Sequence, residues 1–155
     1  MGEREQRLQE YGQWIETMRA LERKRESFWD RALGEGKWTL REMVAHIVEW
    51  DCHFYGNAVK KTAEGEATTL KRQNVDLFNA KASAAGLMLS GAELAARAVA
   101  VRELLMRTVG GMPEETYRRI AVQPDGLTFQ PESFLRDSIR HDRHHLKQLG
   151  TLGRL

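Results

Sequence analysis

Histidines spaced for metal binding lie near the C-terminal end of the sequence. His141 and His145 are four residues apart within residues 141–145, so on a helix their side chains lie one turn apart on the same face. A further imidazole stands far upstream, at His46. Three histidine ligands leave a metal ion one open coordination position, as in catalytic zinc sites. If the two segments meet in the fold, His46, His141 and His145 predict a site for a divalent metal.

The same histidines also allow plainer interpretations. Taken alone, a histidine pair spaced by four residues favours a surface or helix-cap role over metal binding, and cationic side chains are also favoured near helix C-termini. His144 points about 100° away from His145 on a helix, so we expect it to face solvent or to support the site from outside. His53 lies on the same helix face as His46 but about 10 Å along the axis. That position predicts a pocket or dimer-surface residue.

Three acidic residues near these histidines each allow two roles. Asp137, four residues before His141, can orient that imidazole by accepting its second N–H, or can be a solvated acid of the first helical turns. Asp142 falls inside the apolar stripe of its helix, so its carboxylate needs a partner. We expect a tryptophan or arginine of another helix, and the alternative is a carboxylate that supports the histidine site from behind. Glu49 follows His46 closely and can reach the site or remain solvated.

Amphipathic helices must position these side chains. Apolar residues recur at three- and four-residue steps over about residues 3–30, 40–54, 91–110 and 131–149, which is the spacing of a helix with one buried face. Capping boxes precede two of these helices, and Pro131 suits the first turn of the last one. The capping boxes are Thr39 with Glu42 and Ser90 with Glu93.

The connections predict further features. Residues 60–73 are polar and predict a loop, and residues 74–85 predict a short extra helix ended by Gly86. Within residues 113–131, the run 124–126 (Pro-Asp-Gly) predicts an irregular loop or a small hairpin before the last helix. The sequence therefore predicts an all-α fold, a four-helix bundle, in a single domain over residues 1–155.

Composition excludes several classes of protein. The 155 residues are 41% hydrophobic and 30% charged, which is typical of a soluble globular protein with one core. A net charge of +2 argues against a dedicated nucleic-acid or membrane surface. No apolar run approaches the roughly 18–20 residues of a membrane span, and residues 1–7 are too charged for a signal peptide.

Cysteine and tryptophan add limited information. The single cysteine, Cys52, excludes an internal disulfide and suits the reducing cytoplasm. Its thiol can be redox-active or can simply be a small packing residue. The tryptophans are expected to pack in the core or at helix ends rather than to form a cofactor box. They are Trp14, Trp29, Trp38 and Trp50.

The chain resembles the DinB-like superfamily. The resemblance is carried by Trp38-Thr39, by residues 43–51 (MVAHIVEWD) and by the late His141-x-x-His144-His145. It implies a four-helix bundle, often homodimeric, with a metal on His46, His141 and His145. The segment around His46 is also similar to the ClbS-like branch, which acts in colibactin self-resistance. The H-x-x-x-H spacing on the last helix places this chain nearer the metal-binding branch.

The resemblance implies a range of functions. Such proteins include metal-dependent hydrolases and transferases or isomerases that use mycothiol, bacillithiol or glutathione. Our first hypothesis is an enzyme in which a divalent metal, zinc or nickel, activates water or a low-molecular-weight thiol for attack on a small electrophile. Arginines are available for an anionic substrate. The alternatives are a non-catalytic metal-binding or small-molecule-sequestering protein in stress or resistance, and a structural dimer whose histidines bind nothing.

Overall fold

A computed structural model describes residues 2–153 of the chain. Within these residues no helix has both the length and the apolar character needed to cross a membrane. Short 3₁₀ turns cover Glu26–Asp30 and Gly150–Leu152, and a π-helical turn covers Tyr55–Val59. The regular elements, in chain order, are α1 (Glu3–Glu22), α2 (Leu40–Phe54), α3 (Lys60–Ala63), α4 (Val75–Gly86), α5 (Gly91–Gly110), α6 (Glu114–Arg118), β1 (Ala121–Val122), β2 (Thr128–Phe129) and α7 (Pro131–Leu149).

The long helices α1, α2, α5 and α7 form a four-helix bundle. Helix α1 packs against α5 and α7, and α2 packs against α5 and against the short helix α4. Each long helix buries one apolar face, because that arrangement removes most apolar surface from water. The predicted all-α four-helix bundle is confirmed, together with the short extra helix and the small hairpin before α7.

The core consists of two adjoining clusters of buried side chains. One cluster includes Trp14, Trp29 and Met43, so two of the tryptophans pack in the core as expected. The other includes Tyr11 and Leu135. A fully buried large apolar side chain contributes roughly 1.5–3 kcal/mol relative to an exposed one. These clusters therefore hold α2 and α7 in the bundle at fixed positions.

Helix α1 is shorter than predicted. It ends at Glu22, and the chain continues as the 3₁₀ turn Glu26–Asp30 instead of a helix reaching residue 30. The Glu26 carboxylate accepts a hydrogen bond from Gly91 N–H at 2.9 Å and pairs with Arg41. Trp29 is fully buried. Contacts with the first residues of α5 and α2 therefore override the apolar periodicity of this segment.

Helix α2 begins as the sequence predicts but is followed by more helix than expected. The Glu42 N–H donates to Thr39 Oγ1 at 3.2 Å, and the Thr39 N–H donates to Glu42 Oε1 at 3.2 Å, which completes the capping box. The π-helical turn and α3 then extend the helical path to Ala63. The predicted loop over residues 60–73 is therefore wrong for its first residues, because burial of Val59 keeps the helical path against the core.

The hairpin between α6 and α7 is tied to the loop before α4. Strands β1 and β2 are antiparallel, with Ala121 opposite Phe129. Gly126 in the turn has φ of 89°, a conformation that glycine adopts without strain. The Gln123 side chain accepts from Leu70 N–H at 2.7 Å and donates to Leu70 O at 2.8 Å. Residues of the hairpin and Val75, the first residue of α4, line one cleft.

Candidate metal centre

Helices α2 and α7 bring three histidines together. One ring nitrogen from each of His46, His141 and His145 lies within 4.8 Å of the other two. The ring centroids of His141 and His145 are 4.5 Å apart, and those of His46 and His145 are 5.0 Å apart. The three predicted ligands are therefore adjacent in space, although His46 and His141 are 95 positions apart in the sequence.

Hydrogen bonds orient two of the three imidazoles. His46 Nδ1 lies 2.6 Å from the Met43 carbonyl oxygen, which only accepts, so this nitrogen carries the proton. His145 Nδ1 lies 2.8 Å from Gln148 Oε1 and donates to it in the same way. Both Nε2 atoms are then lone-pair nitrogens, and His145 Nε2 lies 3.2 Å from His141 Nε2. This arrangement matches metal-binding histidines, whose second nitrogen is held by an oxygen acceptor.

The donor set fits a divalent metal. Two nitrogens at 2.0–2.1 Å from a tetrahedral ion are about 3.3 Å apart, and the observed Nε2–Nε2 distance is 3.2 Å. Imidazole nitrogens suit zinc and nickel among the divalent ions. Within residues 2–153 no fourth histidine, cysteine, aspartate or glutamate joins the group. A metal held by these three side chains would keep a position open to a ligand.

Burial keeps the enclosed imidazoles in the form that binds metals. It lowers the pKa of His46 to about 3, and the neighbouring His145 adds to this effect. The pKa of His145 falls to about 4, again mainly through burial, although its bond to Gln148 acts in the opposite direction. Both rings are therefore neutral at pH 7, with a lone pair available.

Trp38 belongs to the site, although its sequence position suggested packing alone. Its ring centroid lies 4.5 Å from that of His46, and the two planes are tilted by 55°. Trp38 is half-buried and immediately precedes the capping residue of α2. Its indole therefore covers one face of the His46 ring and limits the orientations of that imidazole.

A cleft of about 590 Å³ adjoins the histidines. His46 and His141 line it, whereas His145 does not. Trp50 forms part of the wall, stacks on Phe78 with centroids 3.9 Å apart, and donates from Nε1 to Asn79 Oδ1 at 2.8 Å. This volume falls within the range of small-molecule sites.

A buried arginine connects the helices around the site. Arg102 of α5 is 1% exposed. Its guanidinium donates to Asp51 Oδ2 of α2 at 3.1 Å, to both carboxylate oxygens of Asp142 of α7 at 2.6 and 3.3 Å, and to the Tyr11 carbonyl of α1 at 3.1 Å. The expectation that Asp142 pairs with an arginine of another helix agrees with this geometry.

Two carboxylates share this one guanidinium. Burial raises the pKa of Asp51 to about 6, Arg102 opposes the rise, and the nearby Asp142 adds to it. The pKa of Asp142 is also raised, mainly by burial. The main reason is that burial removes both carboxyl groups from water, which disfavours their charged form, and for Asp51 the second carboxylate adds to this effect.

The remaining acidic candidates lie outside the histidine group. Asp137 is exposed at the cleft, and its carboxylate is 3.8 Å from the Arg136 guanidinium. It is therefore the solvated acid of the second interpretation and not the partner of His141. Glu49 is half-buried and lines a separate pocket with Arg97, so its side chain points away from the cleft.

The other singled-out residues also lie outside the group. His144 is exposed, as predicted, with its ring centroid 5.1 Å from that of His145. His53 is half-buried against Trp50, at a centroid distance of 5.8 Å, and lies within hydrogen-bonding distance of Asn57. Cys52 is exposed, so it is not a small core residue.

The fold is a four-helix bundle in which two helices bring three histidines together. A sequence profile of the DinB superfamily matches residues 9–149, and the chain belongs to this superfamily. No curated protein sequence matches the chain.

Solved structures share the whole fold. One is YfiT from Bacillus subtilis, described as a probable metal-dependent hydrolase with an unusual four-helix bundle topology. It has a TM-score of 0.76 at 16% identity, and the match covers 99% of this chain and 89% of YfiT. At this identity the likeness concerns the fold alone.

A second similar structure is a mycothiol-dependent maleylpyruvate isomerase. The TM-score is 0.73 at 19% identity, covering 95% of this chain. A point mutant of that isomerase gives a TM-score of 0.72 at 19% identity, covering 98% of this chain. This chain spans only 60% and 61% of the length of these two structures, respectively.

Proposed function

We propose that the chain is a divalent-metal-dependent enzyme, a hydrolase or a thiol S-transferase, that acts on a small electrophile. One observation carries the proposal: ring nitrogens of His46, His141 and His145 lie within 4.8 Å of one another, and two of these residues line a cleft of about 590 Å³. The description of YfiT as a probable metal-dependent hydrolase supports it.

The residues of the chain have separate tasks in this proposal. His46, His141 and His145 hold the metal, zinc or nickel. Met43 O and Gln148 Oε1 keep two of the rings in the tautomer whose Nε2 is free. When bound, a divalent metal supplies Lewis acidity, which lowers the pKa of a water or thiol and polarises a bound atom.

A low-molecular-weight thiol is the proposed co-substrate of the transferase form. The likeness in fold to a mycothiol-dependent isomerase supports a thiol as co-substrate. The volume of the cleft supports it too, because small-molecule sites of 300–1,000 Å³ are the common size. A cytoplasmic location and the homodimer expected from the resemblance remain predictions.

The alternative function is stoichiometric capture of a metal or small molecule in stress or resistance. The apolar side chains along the cleft, among them Phe54 and Phe134, support ligand binding, which capture and catalysis both require. Turnover separates the two functions. A capture protein saturates at one equivalent of ligand, whereas an enzyme converts many equivalents and stops when the metal is removed.

The first test is the metal content of purified protein, measured by plasma mass spectrometry. We expect about one equivalent of metal per chain in the wild type and a near-complete loss in His145→Ala. His144→Ala is the matched control, because it removes the neighbouring, exposed imidazole and should leave the metal in place. Absence of metal from the wild type, even after incubation with zinc or nickel, would contradict the proposal.

A further inference from the structure

We propose that the cleft beside the histidines takes an uncharged, largely apolar small molecule and discriminates against anions. The inference names the substrate class of the same site and so rests on the proposed function. It concerns the body of the substrate, whereas the atom that reaches the histidines is set by the metal chemistry.

Aromatic side chains form much of the cleft wall. Phe54 and Phe134 are 5.2 Å apart between centroids, Phe129 and Phe134 are 5.6 Å apart, and Trp50 stacks with Phe54 at 6.0 Å. Ile47 adds an aliphatic contact. A continuous wall of this kind gains free energy by covering apolar ligand surface, and it offers ring faces to a planar group.

The charged side chains along the cleft all carry carboxyl groups. Asp51, Asp137 and Asp142 line it, and no lysine or arginine does so among the residues that the structure describes. Arg102 lies behind the wall and is 1% exposed. Its N–H groups are taken by Asp51, by Asp142 and by the Tyr11 carbonyl, so it offers no free donor to a ligand.

Away from the histidines, an anionic group on the body of the ligand would therefore lose its hydration without gaining a cationic side chain as a partner. It would also lie near carboxylates in surroundings of reduced dielectric, where like charges repel more strongly than in water. The arginines that the sequence offered for an anionic substrate do not line this cleft. Neutral polar atoms meet better partners there, because Ser133, Ser138 and Thr128 present hydroxyl groups.

The test compares two probes that differ mainly in charge, 1-naphthylmethanol and 1-naphthoate. Each is titrated into the full chain after treatment with a chelator, and binding is followed by calorimetry and by tryptophan fluorescence. We expect the alcohol to bind about tenfold more tightly than the carboxylate or better, a difference of about 1.4 kcal/mol. Because no metal is needed, the result is independent of the metal-content experiment.

Variants that add a cation provide the matched comparison. Ser133→Lys, on α7, and Thr128→Lys, at an exposed cleft position of β2, should each strengthen naphthoate binding about fivefold and leave the alcohol within about twofold. Ser27→Lys replaces an exposed serine elsewhere on the chain and should change the affinity for neither probe. Two cleft variants are used so that poor folding of one does not decide the outcome.

Two results would overturn the inference. One is wild-type naphthoate binding as tight as that of the alcohol, or tighter. The other is no binding of the alcohol up to its solubility limit. If the alcohol binds selectively but the protein takes up no metal, the proposed enzyme fails and the specificity of the cleft stands. If the protein binds metal but not the alcohol, the inferred specificity of the cleft fails and the proposed metal site stands.

Discussion

Arg102 Nη1 lies 2.6 Å from Asp142 Oδ2, and this buried ion pair connects α5 to the residue directly after His141. The same guanidinium bonds Asp51, five positions after His46 on α2. One side chain thus links the two helices that carry the histidines. Because a buried charge without a partner is costly, this link limits how α2 and α7 can shift or rotate against each other.

Arg102→Met is expected to destabilise the protein strongly. It leaves Asp51 and Asp142 buried without their cation, and loss of one partner of a buried ion pair costs about 3–5 kcal/mol. Urea unfolding followed by circular dichroism measures the change. Arg107→Met, at an exposed position of the same helix, is the control and should change the free energy of unfolding by less than about 0.5 kcal/mol. Equal stability of the two variants would show that the network is dispensable.

The fold was largely predictable because its signals are local. Capping residues, a Pro at the start of α7 and apolar residues at helical spacing mark helix ends and faces without knowledge of the tertiary structure. The end of α1 was not predictable in this way. Glu26 and Trp29 lie outside α1 because they contact residues from later segments of the chain. Glu26 bonds Gly91 and Arg41, and Trp29 packs against Gly91.

The histidine group was predictable in its members but not in its surroundings. The spacing of His141 and His145 indicated a shared helix face, His46 offered a third imidazole, and the family resemblance implied the same three residues. The contact of Gln148 with His145 and that of Trp38 with His46 depend on side-chain rotamers, which residue spacing alone does not determine. Arg102 did leave a signal, because it is a charged residue between Val101 and Leu105 on the apolar face of α5, yet its partners lie on other helices.

Gly91→Ala is expected to be destabilising although alanine favours helices. A Cβ atom at Gly91 would overlap the indole of Trp29, which is fully buried and cannot move freely. Forcing extra atoms into such packing typically costs about 1–3 kcal/mol. Gly56→Ala is the control, since a Cβ there meets nothing within 4 Å, and it should be neutral or stabilising by up to about 1 kcal/mol. Thermal or urea unfolding of both variants decides the matter, and a loss of stability in Gly56→Ala alone would refute the packing argument.

Gln148→Leu is expected to weaken metal binding without unfolding the bundle. The substitution removes the oxygen that accepts from His145 Nδ1 at 2.8 Å, so the ring loses its fixed orientation. Loss of such a supporting hydrogen bond typically lowers metal affinity about 10–100-fold. Competition with a chromophoric chelator measures the affinity. Gln13→Leu makes the same exchange at an exposed position and should bind metal like the wild type. A similar decrease in metal affinity in both variants would show that the hydrogen bond from His145 to Gln148 does not support metal binding.

The metal-free protein is expected to lose stability as the pH falls below about 6.5. His46 has a folded pKa of about 3 against an ordinary value of 6.5, so the unfolded chain takes up a proton more readily than the folded one. Stability therefore decreases as the pH falls, from near the unfolded pKa down to the folded one. For His46 alone, the decrease between pH 7 and pH 5 is about 2 kcal/mol.

His46→Gln isolates this contribution, because the amide does not titrate while the rest of the chain still does. Urea unfolding of the chelated wild type and of the variant at pH 7 and pH 5 gives two pH dependences, and other titrating groups largely cancel in their difference. We expect the variant to lose about 2 kcal/mol less than the wild type over this interval. If the free energy of unfolding falls equally in the two proteins between pH 7 and pH 5, the His46 imidazole is protonated as readily in the folded chain as in the unfolded one. In that case the ring would not be held neutral by burial, and proton competition at the metal site would begin near pH 6.5.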